Sequence, residues 1–153
     1  SDFSGYRRSQ MMLQGGTVTL TLGQAGCDSE SMPRQVVMSP LSHLGFDGGM
    51  KVSCELAGGP AKMFNVMTRS DEVDHQLEVI SVIELPVESN HGADTLLVFS
   101  LDPNLRVHVE DQTYPLEHHD LLLIDQASEQ SVCLQAAEGA GAVGIIVTIN
   151  RGY

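Results

Sequence analysis

Apolar and polar residues alternate in short segments along the whole chain. Between Thr17 and Leu22, valine and leucine alternate with threonine, and between Leu105 and Glu110 leucine and valine alternate with charged residues and histidine. A period of two places successive side chains on opposite faces of a strand, so each segment indicates a half-buried β-strand. Turn-forming residues lie between these segments, and the 153-residue chain contains 15 glycines and 6 prolines in all. The sequence therefore predicts an all-β protein, built as a barrel or a sandwich.

The acidic, polar segment from Ser70 to Asp74 is the best internal boundary. It separates two halves in which the same succession of strand, turn and strand occurs, although no clear sequence repeat accompanies it. A chain of this length can bury a core either as one domain or as two compact barrels that share an interface. We therefore predict two small barrels, residues 1–70 and residues 71–153.

Charge and cysteine usage exclude several classes of partner. The chain has 8 basic and 20 acidic residues and a net charge of −12, which repels nucleic-acid phosphates and anionic membranes. Cys27, Cys54 and Cys133 form no Cys-x-x-Cys pair, which argues against a zinc site and a secreted disulfide framework. Cys54 lies in phase with Val52 and Leu56 and is predicted to be a small core residue. Since the sequence shows neither a membrane-spanning apolar run nor a signal peptide, the expected location is the cytoplasm.

The stretch GGPAKMFNVMTR, which ends at Arg69, carries the most distinctive chemistry. A tight turn at Gly58 to Pro60 is predicted to lead into a strand. One face of that strand would hold Asn65, Met67 and Arg69, and the other face would hold Phe64. An amide and a cation on one face of an otherwise apolar strand are what a small polar ligand needs. The alternative is that both groups satisfy loop backbone and solvent, as polar groups usually do.

Two further segments accompany this stretch, FSGYRRSQMMLQGG from Phe3 to Gly16 and Phe46-Asp47-Gly48. The segment that begins at Phe3 resembles the pattern Phe-x-Gly-x-x-Arg-x-x-x-x-Leu-x-Gly of the HutD/Ves family. Phe46-Asp47-Gly48 resembles the family's Phe-x-Gly-Asp turn. The stretch that ends at Arg69 resembles its pattern Gly-Pro-x-x-Asp-Phe-Asn-x-Met-x-Arg. The resemblance covers the whole chain and departs from the pattern at Met63, where the family usually has Asp. Members of this family resemble bicupins, two small β-barrels in one chain. They are linked to bacterial histidine utilisation, with a proposed regulatory or ligand-sensing role.

The resemblance also implies that Ser1 lies inside the family pattern, because family members have several strands before this point. The first barrel is therefore expected to lack its N-terminal strands, which would expose strand edges. A separate N-terminal fragment, or a neighbouring chain in a homodimer, would complete the barrel.

The cupin template that the resemblance implies predicts a first barrel without a metal. A cupin normally binds its metal through histidines and a Glu that stands seven residues before a closing glycine, and counting back from Gly15 places Arg8 at that position. Histidine is absent from the matching positions upstream and between Phe46 and Asn65, so neither a metal nor another cofactor is expected. An arginine that faces a barrel interior must find an anion, and its planar fork suits a carboxylate. The alternative is an internal partner, Asp2 or Glu55.

Two other motifs carry little chemistry by themselves. His118-His119-Asp120 resembles a metal cluster, but adjacent strand residues point to opposite faces, so a solvated turn is favoured. The segment from Gly139 to Gly144 matches Gly-x-Gly-x-x-Gly, but it precedes a strand and no helix follows, so a flexible turn is favoured over a dinucleotide site. The serine-nucleophile pattern Gly-x-Ser-x-Gly does not occur.

These observations favour non-enzymatic binding of a small carboxylate in the first barrel. The predicted ligand-binding residues are Arg8, Asn65, Met67, Phe64, Arg69 and Phe46. The resemblance implies a histidine-degradation acid such as formylglutamate or urocanate, and a regulatory role. An isomerase or hydrolase without a cofactor would need a general base, which the sequence does not identify. A structural interaction module with a vestigial pocket is the third hypothesis.

Overall fold

The computed structural model describes residues 3–23, 33–83, 86–88 and 92–152. Strands dominate these residues, and the prediction of an all-β chain is confirmed. The strands are β1 (Tyr6–Gly23), β2 (Arg34–Met38), β3 (His43–Asp47), β4 (Lys51–Arg69), β5 (Val73–Val82), β6 (Val87–Glu88), β7 (Thr95–Ser100), β8 (Leu105–Val109), β9 (Gln112–Pro115), β10 (Leu121–Asp125), β11 (Val132–Ala136) and β12 (Ala142–Arg151). A short 3-10 helix, Ala127–Glu129, lies between β10 and β11. The chain divides into two compact units, Ser1–Glu72 and Val73–Tyr153.

In the first unit, β1 is the central strand of an antiparallel sheet. It pairs with β4 along nearly its whole length, and on its other edge it pairs first with β3 and then with β2. The alternation of apolar residues along β1 places Met12, Val18 and Leu20 in an apolar cluster with Met38 of β2, and all four are at most 2 % exposed. The local prediction of a half-buried strand after Thr17 is thus confirmed.

Gly15–Gly16, like Gly58–Pro60, is a sequence that predicts a turn. Neither turn is present, because β1 and β4 continue through these glycines as unbroken strands. Two register shifts between the strands occur here, one before Gly15 and one after it. A Cβ added to Gly15 would lie 2.3 Å from the Pro60 carbonyl oxygen, and Gly15, Gly58 and Gly59 all have positive φ. The turn predictions were wrong because an irregular strand pairing and a tight turn call for the same residue, a glycine that permits positive φ and close backbone approach.

The prediction that Cys54 is a core residue is also wrong, since its side chain is exposed. Cys54 alternates in phase with Leu56, but Leu56 is itself 59 % exposed. Both faces of β4 are exposed from Ser53 to Pro60, so the periodicity in this segment marks a face that the described residues do not cover. The glycine, aspartate, serine and proline residues between Gly23 and Arg34 predict a loop that is mobile at Cys27 to Met32, and this part of the chain lies outside the described residues.

The second unit has the strand order of a jelly roll. Its described residues form two four-stranded sheets with the orders β10-β7-β12-β5 and β6-β11-β8-β9, as in two interleaved Greek keys. Both sheets contribute to one apolar core, which includes Val98 and Ile146 from the first sheet and Leu105, Val107 and Leu134 from the second. Four of these side chains, those of Val98, Leu105, Val107 and Leu134, are completely buried.

Candidate functional site

Arg8 lies near the start of β1, where β3 and β4 flank this strand on its two edges. Its register partners are Phe46 on β3 and Met67 on β4. Side chains of directly paired residues project from the same face of a sheet, so these three residues form one row across the first unit. The guanidinium thus has an aromatic ring on one flank and a thioether on the other.

A second row on the same face adds two amides. Gln10 follows Arg8 in the alternation along β1, and its register partner on β4 is Asn65. Gln10 is half-buried and Asn65 is exposed, so both amides are accessible to a solute. Rows that are two residues apart lie about 7 Å from each other. The next row is apolar, because buried Met12 pairs with Met63.

The Arg8 guanidinium lies over two aromatic rings. Its Cζ atom is 5.0 Å from the centroid of the Phe3 ring and 5.1 Å from that of Phe46. Cation–π contacts of this kind contribute about 0.5–2 kcal/mol each, with the higher value where water is excluded. The rings also hold a long side chain in one orientation, so less conformational entropy remains to be lost when an anion binds.

Backbone contacts between two turns bring Phe3 to the same guanidinium as Phe46. The Phe3 N–H donates to the Gly48 carbonyl at 3.3 Å, and the Gly48 N–H donates to the Tyr6 carbonyl at 2.7 Å. A Cβ on Gly48 would lie 2.3 Å from the Phe3 carbonyl oxygen, so only glycine permits this approach. The two Phe-x-Gly segments of the sequence therefore meet around Arg8.

The Nε atom of Arg8 is buried, and within the described residues it has no hydrogen-bond partner. The N–H bonds of a guanidinium lie in its plane, so contact with aromatic rings does not satisfy them. Leaving a buried donor unpaired costs about 1–3 kcal/mol, and more for a charged group. Of the two internal partners that the sequence suggested, Glu55 pairs with Thr19 in the second half of β1, and Asp2 lies outside the described residues. Arg8 Nε is therefore a donor that an added anion would satisfy.

The structure places on one face four of the six predicted ligand-binding residues, namely Arg8, Phe46, Met67 and Asn65. Phe64 pairs with Met11 and therefore projects from the opposite face. This face also contains buried Val66, the register partner of Ser9. The division of the strand into two faces follows the alternation that its sequence predicted.

Arg69, the sixth predicted residue, has carboxylate partners of its own. Its guanidinium forms ion pairs with Glu72 at 2.8 Å and with Asp71 at 3.5 Å, and all three side chains are more than half exposed. Two carboxylates around one guanidinium leave a local excess of negative charge. Arg69 therefore differs from Arg8, whose Nε has no such partner among the described residues.

Two residues at this site, Phe3 and Gln10, were not among the predicted ligand-binding residues. Gln10 could have been found, because on a strand it must share a face with Arg8. Phe3 was recognised as part of a motif, but its contact with Arg8 depends on a turn that packs against Gly48. No local pattern of the sequence shows that long-range contact.

In the second unit, a polar row crosses the sheet that contains β6, β11 and β8. Cys133 pairs with Glu88 on one side and with His108 on the other. The His108 ring nitrogens lie 3.0 Å from Gln135 Oε1 and 2.9 Å from Thr113 Oγ1. Burial, and then the charge of Glu88, raise the pKa of the Cys133 thiol. Because the thiolate is the reactive form, this row does not activate the cysteine as a nucleophile.

The remaining sequence motifs lie in turns. His118 and His119 occupy a turn before β10, and their ring centroids are 3.8 Å apart, with His119 stacked on Phe99. Gly139 lies in the turn before β12. Across the described residues, no three His, Cys, Asp or Glu side chains are grouped so that they could hold a metal ion. The same part of the chain contains no helix that is long and apolar enough to cross a membrane.

Fold and site together define an all-β, cupin-like protein with a stacked arginine on one sheet face. The chain belongs to the HutD family, whose model matches residues 1–142. The resemblance stated from the three sequence segments is thus confirmed for this family. None of the curated proteins matches the chain.

Three solved structures are similar to this chain in fold. A conserved protein of unknown function from Pseudomonas aeruginosa PAO1 is 25 % identical, with a TM-score of 0.80, over 99 % of this chain and 75 % of its own. HutD from Pseudomonas fluorescens SBW25, in a formate condition, is also 25 % identical, with a TM-score of 0.74, over 100 % of this chain and 72 % of its own. Mannose 6-phosphate isomerase from Bacillus subtilis is 11 % identical, with a TM-score of 0.58, over 93 % of this chain and 64 % of its own. This third likeness supports the cupin-like fold alone.

Proposed function

We propose that this chain binds a small carboxylate at Arg8 and does so without a metal. The observation that carries the proposal is the buried Nε of Arg8, which has no hydrogen-bond partner among the described residues. A carboxylate that approaches the edge of the guanidinium would accept one bond from Nε and a second from an Nη atom. Each charge-assisted bond contributes about 1.5–3 kcal/mol, which offsets the cost of the unpaired donor.

The residues around Arg8 suit a compact organic acid. Phe3 and Phe46 hold the guanidinium, and Met67 provides an adaptable apolar surface beside it. Gln10 and Asn65 can donate and accept hydrogen bonds in the next row. The net charge of −12 gives an anion no long-range attraction, so the affinity must come from these local contacts and should be modest.

Membership of the HutD family supports a role in histidine utilisation. We propose that the ligand is an acid of histidine degradation, of the formylglutamate or urocanate kind, and that binding serves regulation in the cytoplasm. A binder is favoured over a cofactor-free isomerase or hydrolase, because the described residues around Arg8 and in the neighbouring amide row present a cation, two rings and amides but no carboxylate or histidine that could act as general base.

Calorimetric titration with acetate and formate tests the site directly. Wild type should bind both anions, Arg8→Ala should show no detectable binding, and Arg8→Lys should bind about tenfold more weakly because it keeps the charge but loses the fork. Lys62→Gln is the matched control: it removes the same charge from an exposed position of β4 and should leave the affinity unchanged. Equal affinity in wild type and Arg8→Ala would refute the proposal, provided that circular dichroism shows both to be folded.

A further inference from the structure

The charges around Arg8 define a narrower class of ligand than "small carboxylate". We infer that the site selects a monocarboxylate whose other end is uncharged and forms hydrogen bonds, and that it discriminates against dicarboxylates of the same length. This inference rests on the proposed function, because it concerns the same site.

The first step asks which other cations lie near Arg8 on its face of the sheet. Arg7 precedes Arg8 and pairs with Asp47 and Thr68, so it projects from the opposite face of the sheet. The row that follows Arg8 on its own face contributes Gln10 and Asn65, which are neutral. A ligand that extends from Arg8 along this face therefore meets amides and, after them, methionine side chains.

The second step concerns the other direction along β4, toward Arg69. This guanidinium is already paired with Glu72 and Asp71, at 2.8 and 3.5 Å. A second ligand carboxylate placed there would meet two protein carboxylates for one guanidinium. Among the described residues, neither direction from Arg8 thus offers a cation that is free to neutralise a second negative charge.

The third step is the match between the amide row and a neutral ligand end. An ionised carboxylate loses strong hydration when it leaves water and needs an opposite charge in return, whereas a carboxamide or neutral imidazole needs only hydrogen bonds. The side-chain amides of Gln10 and Asn65 offer both donors and acceptors for such a group. Their row lies about 7 Å from that of Arg8, which suits an acid with its polar ends separated by a few carbon atoms. Of the two acids named above, urocanate has one carboxylate and formylglutamate has two, so this inference favours urocanate.

Glutaramate and glutarate form a matched pair of probes, because they share one carbon skeleton and differ only in a carboxamide at one end against a carboxylate. Calorimetric titration of the whole chain at pH 7.5 should show glutaramate bound at least about tenfold more tightly than glutarate. Equal affinity, or tighter binding of glutarate, would overturn the inference.

Two lysine variants locate the origin of the selectivity. Asn65→Lys adds a cation to the amide row and should strengthen glutarate binding about tenfold, which removes or reverses the preference. His43→Lys adds the same charge at an exposed position of β3 whose partner is Met11, on the opposite face, and should leave the preference as in wild type. If both variants strengthen glutarate binding equally, net charge rather than the site sets the selectivity, and the inference is wrong.

The outcomes of these titrations distinguish a failure of the selectivity from a failure of the proposed carboxylate binding at Arg8. If acetate binds in an Arg8-dependent manner but glutaramate and glutarate bind alike, the carboxylate site stands and the selectivity fails. If none of the three acids binds, both fail together.

Discussion

Replacing Gly48 by alanine should disturb the Arg8 site, although Gly48 itself is not expected to contact the ligand. The added Cβ would lie 2.3 Å from the Phe3 carbonyl oxygen, 2.9 Å from the Tyr6 carbonyl oxygen and 3.0 Å from the Phe3 Cβ. Two of these atoms belong to backbone carbonyls, so a side-chain rotation cannot relieve the overlap. The turn that contains Phe3 must therefore move away from the turn after β3.

The magnitude of the effect follows from the contacts that this movement breaks. The hydrogen bonds between Phe3 N and the Gly48 carbonyl and between Gly48 N and the Tyr6 carbonyl contribute about 0.5–1.5 kcal/mol each. The stacking of Phe3 on Arg8 adds about 0.5–2 kcal/mol. We expect Gly48→Ala to lower the free energy of unfolding by about 2–4 kcal/mol, which for a chain of this size lowers the Tm by about 5–15 °C. Acetate affinity should also fall, because Arg8 loses one of its two rings.

Gly45→Ala is the matched control. Gly45 lies on β3, the strand that ends just before Gly48, and a Cβ there would meet the Ser9 Oγ at 3.6 Å and the Arg8 carbonyl oxygen at 3.9 Å, both ordinary contacts. Its effect should stay within about 0.5 kcal/mol. Urea unfolding followed by circular dichroism measures both variants, since the chain has no tryptophan. Equal unfolding midpoints for the two variants would show that the approach at Gly48 does not hold Phe3 in place.

Two further expectations concern the second unit. The raised pKa of Cys133 keeps its thiol protonated at pH 8, so iodoacetamide should alkylate Cys133 more slowly than exposed Cys54, as measured by mass spectrometry of the two peptides. Glu88→Gln removes a charge that raises this pKa and should speed the reaction at Cys133. A faster reaction at Cys133 than at Cys54 would contradict the direction of the pKa shift. Leu105→Ala should lower the free energy of unfolding by about 2–5 kcal/mol in urea, because Leu105 is completely buried in the jelly-roll core. Leu121→Ala is the control: this position is 54 % exposed, so the free energy of unfolding should change by about 0.5 kcal/mol or less. Similar losses for the two leucine variants would argue against this core.

The all-β class and the sorting of side chains to strand faces were predictable from the sequence. Val66 and Thr68 are buried while Asn65 and Arg69 are exposed, as the alternation in that strand indicates. Gln10 likewise follows Arg8 on one face of β1. These features were predictable because the period of a strand is a local property: the direction of one side chain settles the direction of its neighbours.

Other features were decided by the tertiary structure, because they depend on residues that are distant in the chain. Gly58 to Pro60 could have formed a turn, and only the pairing of β1 with β4 makes this segment part of a continuous strand. Cys54 has the periodicity of a core residue, but periodicity identifies a face and cannot show whether other residues cover it. At the site, the sequence determines that Arg8 faces the same way as Gln10, whereas the register of β1 with β3 and β4 brings Phe46, Met67 and Asn65 to that face. Whether Arg8 stacks on Phe3, with an Nε that has no partner among the described residues, depends on how two turns pack across Gly48. That packing arises from the excluded volume and hydrogen bonds of the folded chain.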